Sequence, residues 1–489
     1  MTSTSSLSIR APGYVRVTCG QLWHNVRVPC NTHRVIHANG GRQGGGLRVF
    51  ALADDLSGAA EVAAVLMSSA RPARIALSGP PYASAEPVLV ADLDNRHHPR
   101  AAELVREALA HAGDRRVFVK IDSLLRGNVS ATTSATLTAA SSTPSAHIPP
   151  AVPASAAVPS VPTPSAASFA PVARAAASAA VAVPGSADSG LVVLAPALPS
   201  AGRTVVGGVP FVDGVPLRET RAWHVETRSA PATVAAALDG VPSVSIPLAT
   251  VRAGLVQALE RTAGRVAICD AETDADLDTI VAAAFAADPR AHLIGAGGLA
   301  AALGRSRPSE PSPCEPGPSE PDGPPEFPLL VVVGTAAPGA ATQAERLIAQ
   351  GAHSVTLDAN DLGTARHVRT QPGTTPAHRV RTALETGPVV LTVQGSPVPA
   401  DLPSILGRIV AEALADRPAH LVLTGGETAR RVLDALGVRE LFPIGQVHHG
   451  AVHSRTPQGH SVVTRPGSFG DRDSLLRIAA HLTLDERFT

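Results

Sequence analysis

The sequence predicts an α/β protein built as two α/β domains with mostly parallel sheets. Short runs rich in Val, Leu and Ile recur along the chain, with the length and composition of buried strands. Each run ends in small or polar residues, and several lead into helical spacing; strands alternating with helices make parallel sheets. A Pro/Glu/Ser-rich stretch, RSRPSEPSPCEPGPSEPDGPPEFP (305–328), divides the runs into two groups and reads as an interdomain linker.

Taken in order, residues 1–46 show weak periodicity and end in GGRQGGG, so they read as a flexible N-terminal extension. Order is expected from Leu47, where LRVFALA has buried-strand character and AAEVAAVLMSSA follows with helical spacing. PVLVADLD (87–94) and RVFVKID (116–122) are two further strands. Residues 131–190 are almost wholly Ala, Ser, Pro, Thr and Val. With few large apolar anchors, this insert is expected to be mostly disordered. LVVLAPAL (191–198), RVAICDAE (265–272) and HLIGAGGL (292–299) complete an N-terminal domain spanning 47–304. Beyond the linker, LLVVVGTAAPG, PVVLTVQGS, HLVLTGGET and SVVTRPGSFG are strands running into small-residue turns, in a C-terminal domain spanning 329–489.

Composition narrows the partners. The 489 residues carry a net charge of +0, so no basic surplus draws nucleic acid or anionic lipid. No apolar run reaches membrane-spanning length, and MTSTSSLSIR lacks the apolar core of a signal peptide; a cytoplasmic protein is expected. The four cysteines are scattered with no CxxC. Cys19, His24, Cys30, His33 and His37 lie close in sequence, but their spacing fits no common zinc pattern and reads as incidental. Lys120 is the only lysine, against 40 arginines, which reads as a nucleotide-composition bias.

In open α/β sheets, ligands lie beyond the carboxyl ends of the strands. After the first strand come Asp54 and Asp55, then Ser57 and Gly58 at a helix start. One acid suffices for a helix cap, so the pair points to binding of hydroxyls or a cation. After the second comes Arg96, whose fork suits a carboxylate. After the third come Lys120, Asp122, Ser123 and Arg126, which together can grip a polyhydroxy acid. That a bias removing every other lysine spared Lys120 is independent evidence for a site. The second domain offers Gly334-Thr335, Gly425-Gly426-Glu427-Thr428 and Gly467-Ser468-Phe469-Gly470. Turns of this kind present backbone N–H groups to phosphates. No GxxxxGK[ST] and no strand-borne GxGxxG occur.

These motifs, in this order, resemble the four-carbon acid sugar kinase family: ALADDLSGAAE, KIDSLLRG, APALPSAGRTVVGGVPFVDGVPL, CDAETDADL, GAGGLA, GGETARRVLDALG and RPGSFG. The likeness spans Leu47 to about Arg477, outside the insert and the linker. It implies an N-terminal acid-sugar-binding domain, a C-terminal ATP-binding domain and a substrate/nucleotide cleft between them. It implies substrate positions at Asp55, Arg96, Lys120, Asp122, Ser123 and Arg126. It implies nucleotide positions at Thr335, Gly425, Gly426, Glu427, Thr428 and Gly470. The implied reaction is ATP-dependent phosphorylation of threonate, erythronate or a 3-oxo-tetronate at the terminal hydroxyl. Mg²⁺ is expected, with no ligand set assigned. Asp122 is the first choice of general base and Asp55 the second, with Lys120 beside them. The expected partners are therefore a sugar acid and ATP, with a homo-oligomer left open.

Three features depart from the family pattern. Arg465 stands where a lysine is usual, Thr335 where a serine is usual, and the insert occupies the place of the helix after the RGN turn. Two other readings compete. One is a catalytically inactive sugar-acid sensor. The other is an aspartate-nucleophile phosphatase, whose two acids must be separated by one residue, whereas Asp54 and Asp55 are adjacent and alternate across a strand.

Overall fold

The computed structural model describes residues 48–142, 190–306 and 327–483, apart from short stretches, of which 363–374 is the longest. The N-terminal extension with its Cys/His group, residues 143–189 of the insert and 307–326 of the linker lie outside the described residues.

The N-terminal half begins with β1 (Val49–Ala53), α1 (Leu56–Leu66), β2 (Ala73–Ala76) and β3 (Val88–Asp92). These are followed by α2 (Ala101–Leu109), β4 (Arg116–Lys120) and α3 (Val129–Ser142). After the insert come β5 (Val192–Ala195), a three-stranded antiparallel sheet of β6 (Arg203–Val206), β7 (Val209–Val212) and β8 (Val215–Pro216), then β9 (Ser243–Ile246), β10 (Val266–Cys269) and β11 (His292–Gly295). The main strands run in the order β2-β3-β1-β4-β11-β5-β10-β9, and every neighbouring pair is parallel.

The continuous apolar runs follow from this layout. On β1, Val49, Ala51 and Ala53 enter one buried cluster, and Phe50 and Leu52 enter another on the opposite face. Both faces are covered, so neither can be polar.

The C-terminal half contains β12 (Leu329–Val333), β13 (His353–Asp358), β14 (Val389–Gln394), β15 (His420–Thr424), β16 (Glu440–His448), β17 (Ala451–Arg455) and β18 (Ser461–Arg465). Strands β13-β14-β12-β15-β18 are parallel, and β17 and β16 continue the sheet antiparallel. The two sheets are joined at their edges. Glu440 and Leu441 of β16 pair antiparallel with Ala76 and Ile75 of β2, giving one 15-stranded sheet.

In each half the chain leaves a central strand in both directions. β1 lies between β3 and β4, and β12 lies between β14 and β15. A crevice opens at such a switch point, beyond the carboxyl ends.

The expected disorder from residue 131 is corrected for 131–142, which complete α3. Hydroxyl-rich helices are poorly favoured because Ser and Thr compete for backbone partners. Here the competition is resolved within the helix: Thr136, Thr138, Ser141 and Ser142 donate to carbonyls one turn earlier. Thr136 is buried with its hydroxyl satisfied in this way, whereas Thr133, buried beside it, has no hydroxyl partner among the described residues.

Candidate functional site

The strand-end loops of the N-terminal half form a network of charges. Asp55 is the N-cap of α1 and accepts from Gly58 N at 2.8 Å. Asp54 is clamped by Arg96, whose Nε and Nη2 donate at 2.8 and 2.9 Å, while Arg96 Nη1 lies 3.0 Å from Asp55 Oδ2. Arg96 thus bridges the two adjacent acids, while Asp55 alone also caps α1. Burial raises the Asp54 carboxyl against the pull of Arg96.

Arg96 is held by the turn after β4. Gly127 has φ +75°, and a Cβ there would stand 2.5 Å from the Arg96 carbonyl oxygen, so only glycine fits. Asn128 adds bonds to the carbonyls of Asn95 (3.0 Å) and His98 (2.8 Å).

Asp122 is the pivot of the K-x-D-S-x-x-R-G turn. Its Oδ2 accepts from Leu124 N at 3.0 Å and Arg126 Nε at 2.8 Å, and its Oδ1 from Arg126 Nη2 at 2.7 Å. Burial alone would raise this carboxyl, but Arg126, Arg96 and Lys120 hold it far below the usual carboxylate range. Leu125 adopts φ +63° to close the turn. Ser123 receives a hydrogen bond from Arg203 Nη1.

Lys120 is buried, with Nζ 3.3 Å from Glu61 Oε2 and 3.2 Å from the Ile121 carbonyl oxygen. Burial pulls its ammonium down, but Glu61, Asp54, Asp55 and Asp122 more than compensate, so it stays charged. Glu61 also abuts Gly297, the first residue of the helix Gly297–Arg305, where a helix N-terminus favours a carboxylate.

In the C-terminal half three turns converge. A Cβ on Gly334 would collide with Thr428, and one on Gly467 would collide with Thr335. Gly425 (φ +95°) leads into the helix Gly426–Ala435 and donates to the Arg465 carbonyl at 2.9 Å. Glu427 points to solvent at the first turn, and Gly470 lies farther along the loop against Ser474. Arg465 is fully buried; Nη1 donates to Ser474 at 2.7 Å, whereas among the described residues Nε and Nη2 have no partner. Burial lowers its guanidinium to about 10. His448, the last residue of β16, is half-buried and also bonds Ser474, at 2.8 Å. Asp471 and Asp473, beside Gly470, are engaged by Arg477 and Arg346.

The two sets of turns meet. A Cβ on Gly426 would lie 2.7 Å from Asp55 Oδ2 and 3.0 Å from Ser57 Oγ. Among the described residues, the buried hydroxyls of Ser57, at this seam, and of Thr424, at the end of β15, have no partner. A buried polar group left unpaired at a junction of strand ends calls for a partner such as a water, an ion or a ligand.

Residues 49–156 and 168–303 match the sugar-binding N-terminal domain family, and 330–475 match the nucleotide-binding C-terminal domain family. A D-threonate kinase of Cupriavidus necator is 31% identical over 454 residues, covering 87% of this chain and 95% of that one. The chain belongs to the four-carbon acid sugar kinase family. A D-threonate kinase of Bordetella bronchiseptica is 26% identical, covering 91% of this chain and all of that one. Two solved structures share the fold. One is a Salmonella typhimurium LT2 protein named as a tRNA synthase (TM-score 0.63, 19% identity, 89% of this chain and 100% of that one). The other is a Haemophilus influenzae protein of the DUF1537 family (TM-score 0.58, 17% identity, 89% and 100%). At these identities the likeness speaks for fold alone. Among the described residues, no helix is long and apolar enough to cross a membrane.

Within this family frame, Asp55, Arg96, Lys120, Asp122 and Arg126 fall in one network, with Ser123 at its β5 side. Thr335, Gly425, Gly426 and Thr428 gather at the facing turns. Sequence reasoning named Ser57 at the helix start but did not single out Glu61 or Arg203. Glu61 has only its place on α1, one turn beyond Ser57, as a signal; Arg203 lies in the GRT segment of a family motif. α3, unexpected from its composition, lines a small pocket through Val129 and Thr132 beside Asp54, Arg96 and Arg126.

Proposed function

We propose that this chain phosphorylates the terminal hydroxyl of a four-carbon sugar acid from ATP, with D-threonate the first substrate to test. The carrying observation is the approach of Asp55 to Gly426, which brings the acid-rich turns of one half against the glycine turns of the other. Backbone N–H groups at Gly426 to Thr428 receive the phosphates at the helix N-terminus, beyond the Gly425 N–H that is taken by the Arg465 carbonyl. Among the described residues the buried Ser57 hydroxyl beside Gly426 has no partner and is free to donate there.

The base role is assigned to Asp55 rather than Asp122. Asp122 has both oxygens bound to Arg126 and is held strongly acidic, so it is a poor proton acceptor. Asp55 is positioned by Gly58 N and Arg96 and faces the nucleotide turn. Lys120, ionised and close to Gly58, places positive charge beside the reacting hydroxyl. Phosphoryl transfer needs little more than position and charge. Mg²⁺ would come with the triphosphate, whose oxygens and water supply most of its ligands. Among the described residues no three His, Cys, Asp or Glu surround one point, so the ligands are not assigned to side chains.

The test is ADP formation with ATP and Mg²⁺ against D- and L-threonate, D-erythronate and 3-oxo-tetronates. Turnover of at least one acid is expected, falling by roughly 100-fold or more in Asp55→Asn. No ADP from any acid, in a protein folded by circular dichroism, would end the kinase reading; binding without turnover would indicate a sensor.

A further inference from the structure

The charged groups beyond β1 and β4 do not balance pair by pair. Three of the four cations already hold a carboxylate: Arg96 with Asp54 at 2.8 Å, Lys120 with Glu61 at 3.3 Å and Arg126 with Asp122 at 2.7 Å. Arg203 is the exception. Among the described residues no carboxylate oxygen lies within ion-pair distance of it, and its hydrogen bond goes to the neutral Ser123 hydroxyl. It is half-buried, and burial lowers its pKa, although a guanidinium stays charged in proteins. A partly desolvated guanidinium with spare donors is a receptor for a carboxylate.

Its position is set by the surrounding structure. Arg203 and Leu198 exchange backbone hydrogen bonds at 2.8 and 3.1 Å. Asp270 fixes the β6–β7 turn by accepting from Gly207 N at 2.7 Å and Gly208 N at 2.9 Å. Trp223 packs with Leu217 and Leu124 and donates to the Leu124 carbonyl at 2.8 Å, tying the small sheet to the turn that carries Ser123. Strand order places Arg203, which follows β5, on the side of β4 away from the nucleotide half; Asp55, after β1, is on the side toward it.

We propose that Arg203, with Ser123, binds the substrate carboxylate and so fixes the direction in which the sugar acid lies. The carboxylate rests toward β5 and the far hydroxyl rests at Asp55, against the Gly426 turn. Arg96 and Arg126, whose type suits a carboxylate equally well, instead hold the acids of the site in place. This rests on the kinase reading above and adds the residue that selects acids over neutral polyols.

The experiment uses the full chain, with wild type, Arg203→Gln and Arg203→Lys assayed on D-threonate and on the uncharged four-carbon polyols threitol and erythritol. Arg203→Gln should raise KM for the acid by roughly 10- to 100-fold, the size of a lost charged hydrogen bond, with kcat changed little. Turnover of the polyols, however slow, should not fall, so the preference for acid over polyol collapses; Arg203→Lys should recover part of it. Wild-type turnover with an unchanged acid-to-polyol ratio in a folded Arg203→Gln overturns the assignment and leaves the kinase reading intact. A wild type inactive on every four-carbon acid overturns both.

Discussion

Lys120 is the single lysine of the chain, and its surroundings explain why arginine does not stand there. A Cβ on Gly58 would lie 3.3 Å from both Cγ and Nζ of Lys120, and Glu61 Oε2 stands 3.3 Å from that Nζ. A guanidinium is broader than an ammonium and would overpack this space. Lys120→Arg should therefore lose most activity although the charge is kept. Lys120→Met leaves Glu61 beside Asp54 and Asp55 without its counter-charge. Because Glu61 retains some exposure, the loss should be up to about 3 kcal/mol, below that of a fully buried pair. Urea unfolding of Lys120→Met, Glu61→Gln and the double variant measures it. A coupling of about 1 kcal/mol or more is expected, and strictly additive effects would remove the pair from the account.

At the scale of elements, the turn that opens the helix Gly426–Ala435 is shaped by what it touches. Alanine at Gly426 would drive a methyl group to 2.7 Å from Asp55 Oδ2. Gly426→Ala should cost about 1–3 kcal/mol in stability and raise KM for ATP, read by thermal unfolding and steady-state kinetics. Unchanged values in both would show that the seam tolerates a side chain and is looser than the geometry indicates. α3 shows the limit of composition as a guide. Its Ser and Thr residues resemble those of the insert that follows. In α3 the helix packs on the sheet and α2, and the hydroxyls of Thr136, Thr138, Ser141 and Ser142 are satisfied by the helix itself. No periodicity in VSATTSATLTAASS announces that.

At the scale of the molecule, the two halves are held by more than the β2–β16 pairing. Arg430 donates to Asp92 Oδ2 at 2.8 Å, Arg431 pairs with Asp94, and Arg74 pairs with Glu440. Asp92 has no side-chain exposure, and burial outweighs Arg430, raising its carboxyl to about 7. A carboxyl raised in the folded state binds a proton that the unfolded chain has already released. Its contribution is fully present below the unfolded value of about 4 and lost as pH rises toward 7. Stability of the wild type should therefore fall across that window, by at most about 1.4 kcal/mol per pH unit from this group. Asp92→Asn should flatten that slope in urea unfolding between pH 4.5 and 7.5. An identical slope in the variant would mean that Asp92 is ionised throughout.

By itself the sequence determined the parallel α/β class, the strands that carry the site and the residue types at their ends. The reason is local: a strand buried on both faces must read as a continuous apolar run, and a turn that meets a ligand must switch abruptly to Gly, Asp, Ser or Arg. The tertiary structure decided which charges neutralise one another. Arg96 and Arg126 look as available in sequence as Arg203, and Asp122 looks as basic as Asp55. Arg126 and Asp122 neutralise each other across four positions, whereas the partners of Arg96 and Arg203 come from 42 positions away at Asp54 and 80 at Ser123. It decided also that β2 and β16 join two sheets into one. That contact consists of backbone hydrogen bonds between strand edges, which leave little trace in side-chain pattern.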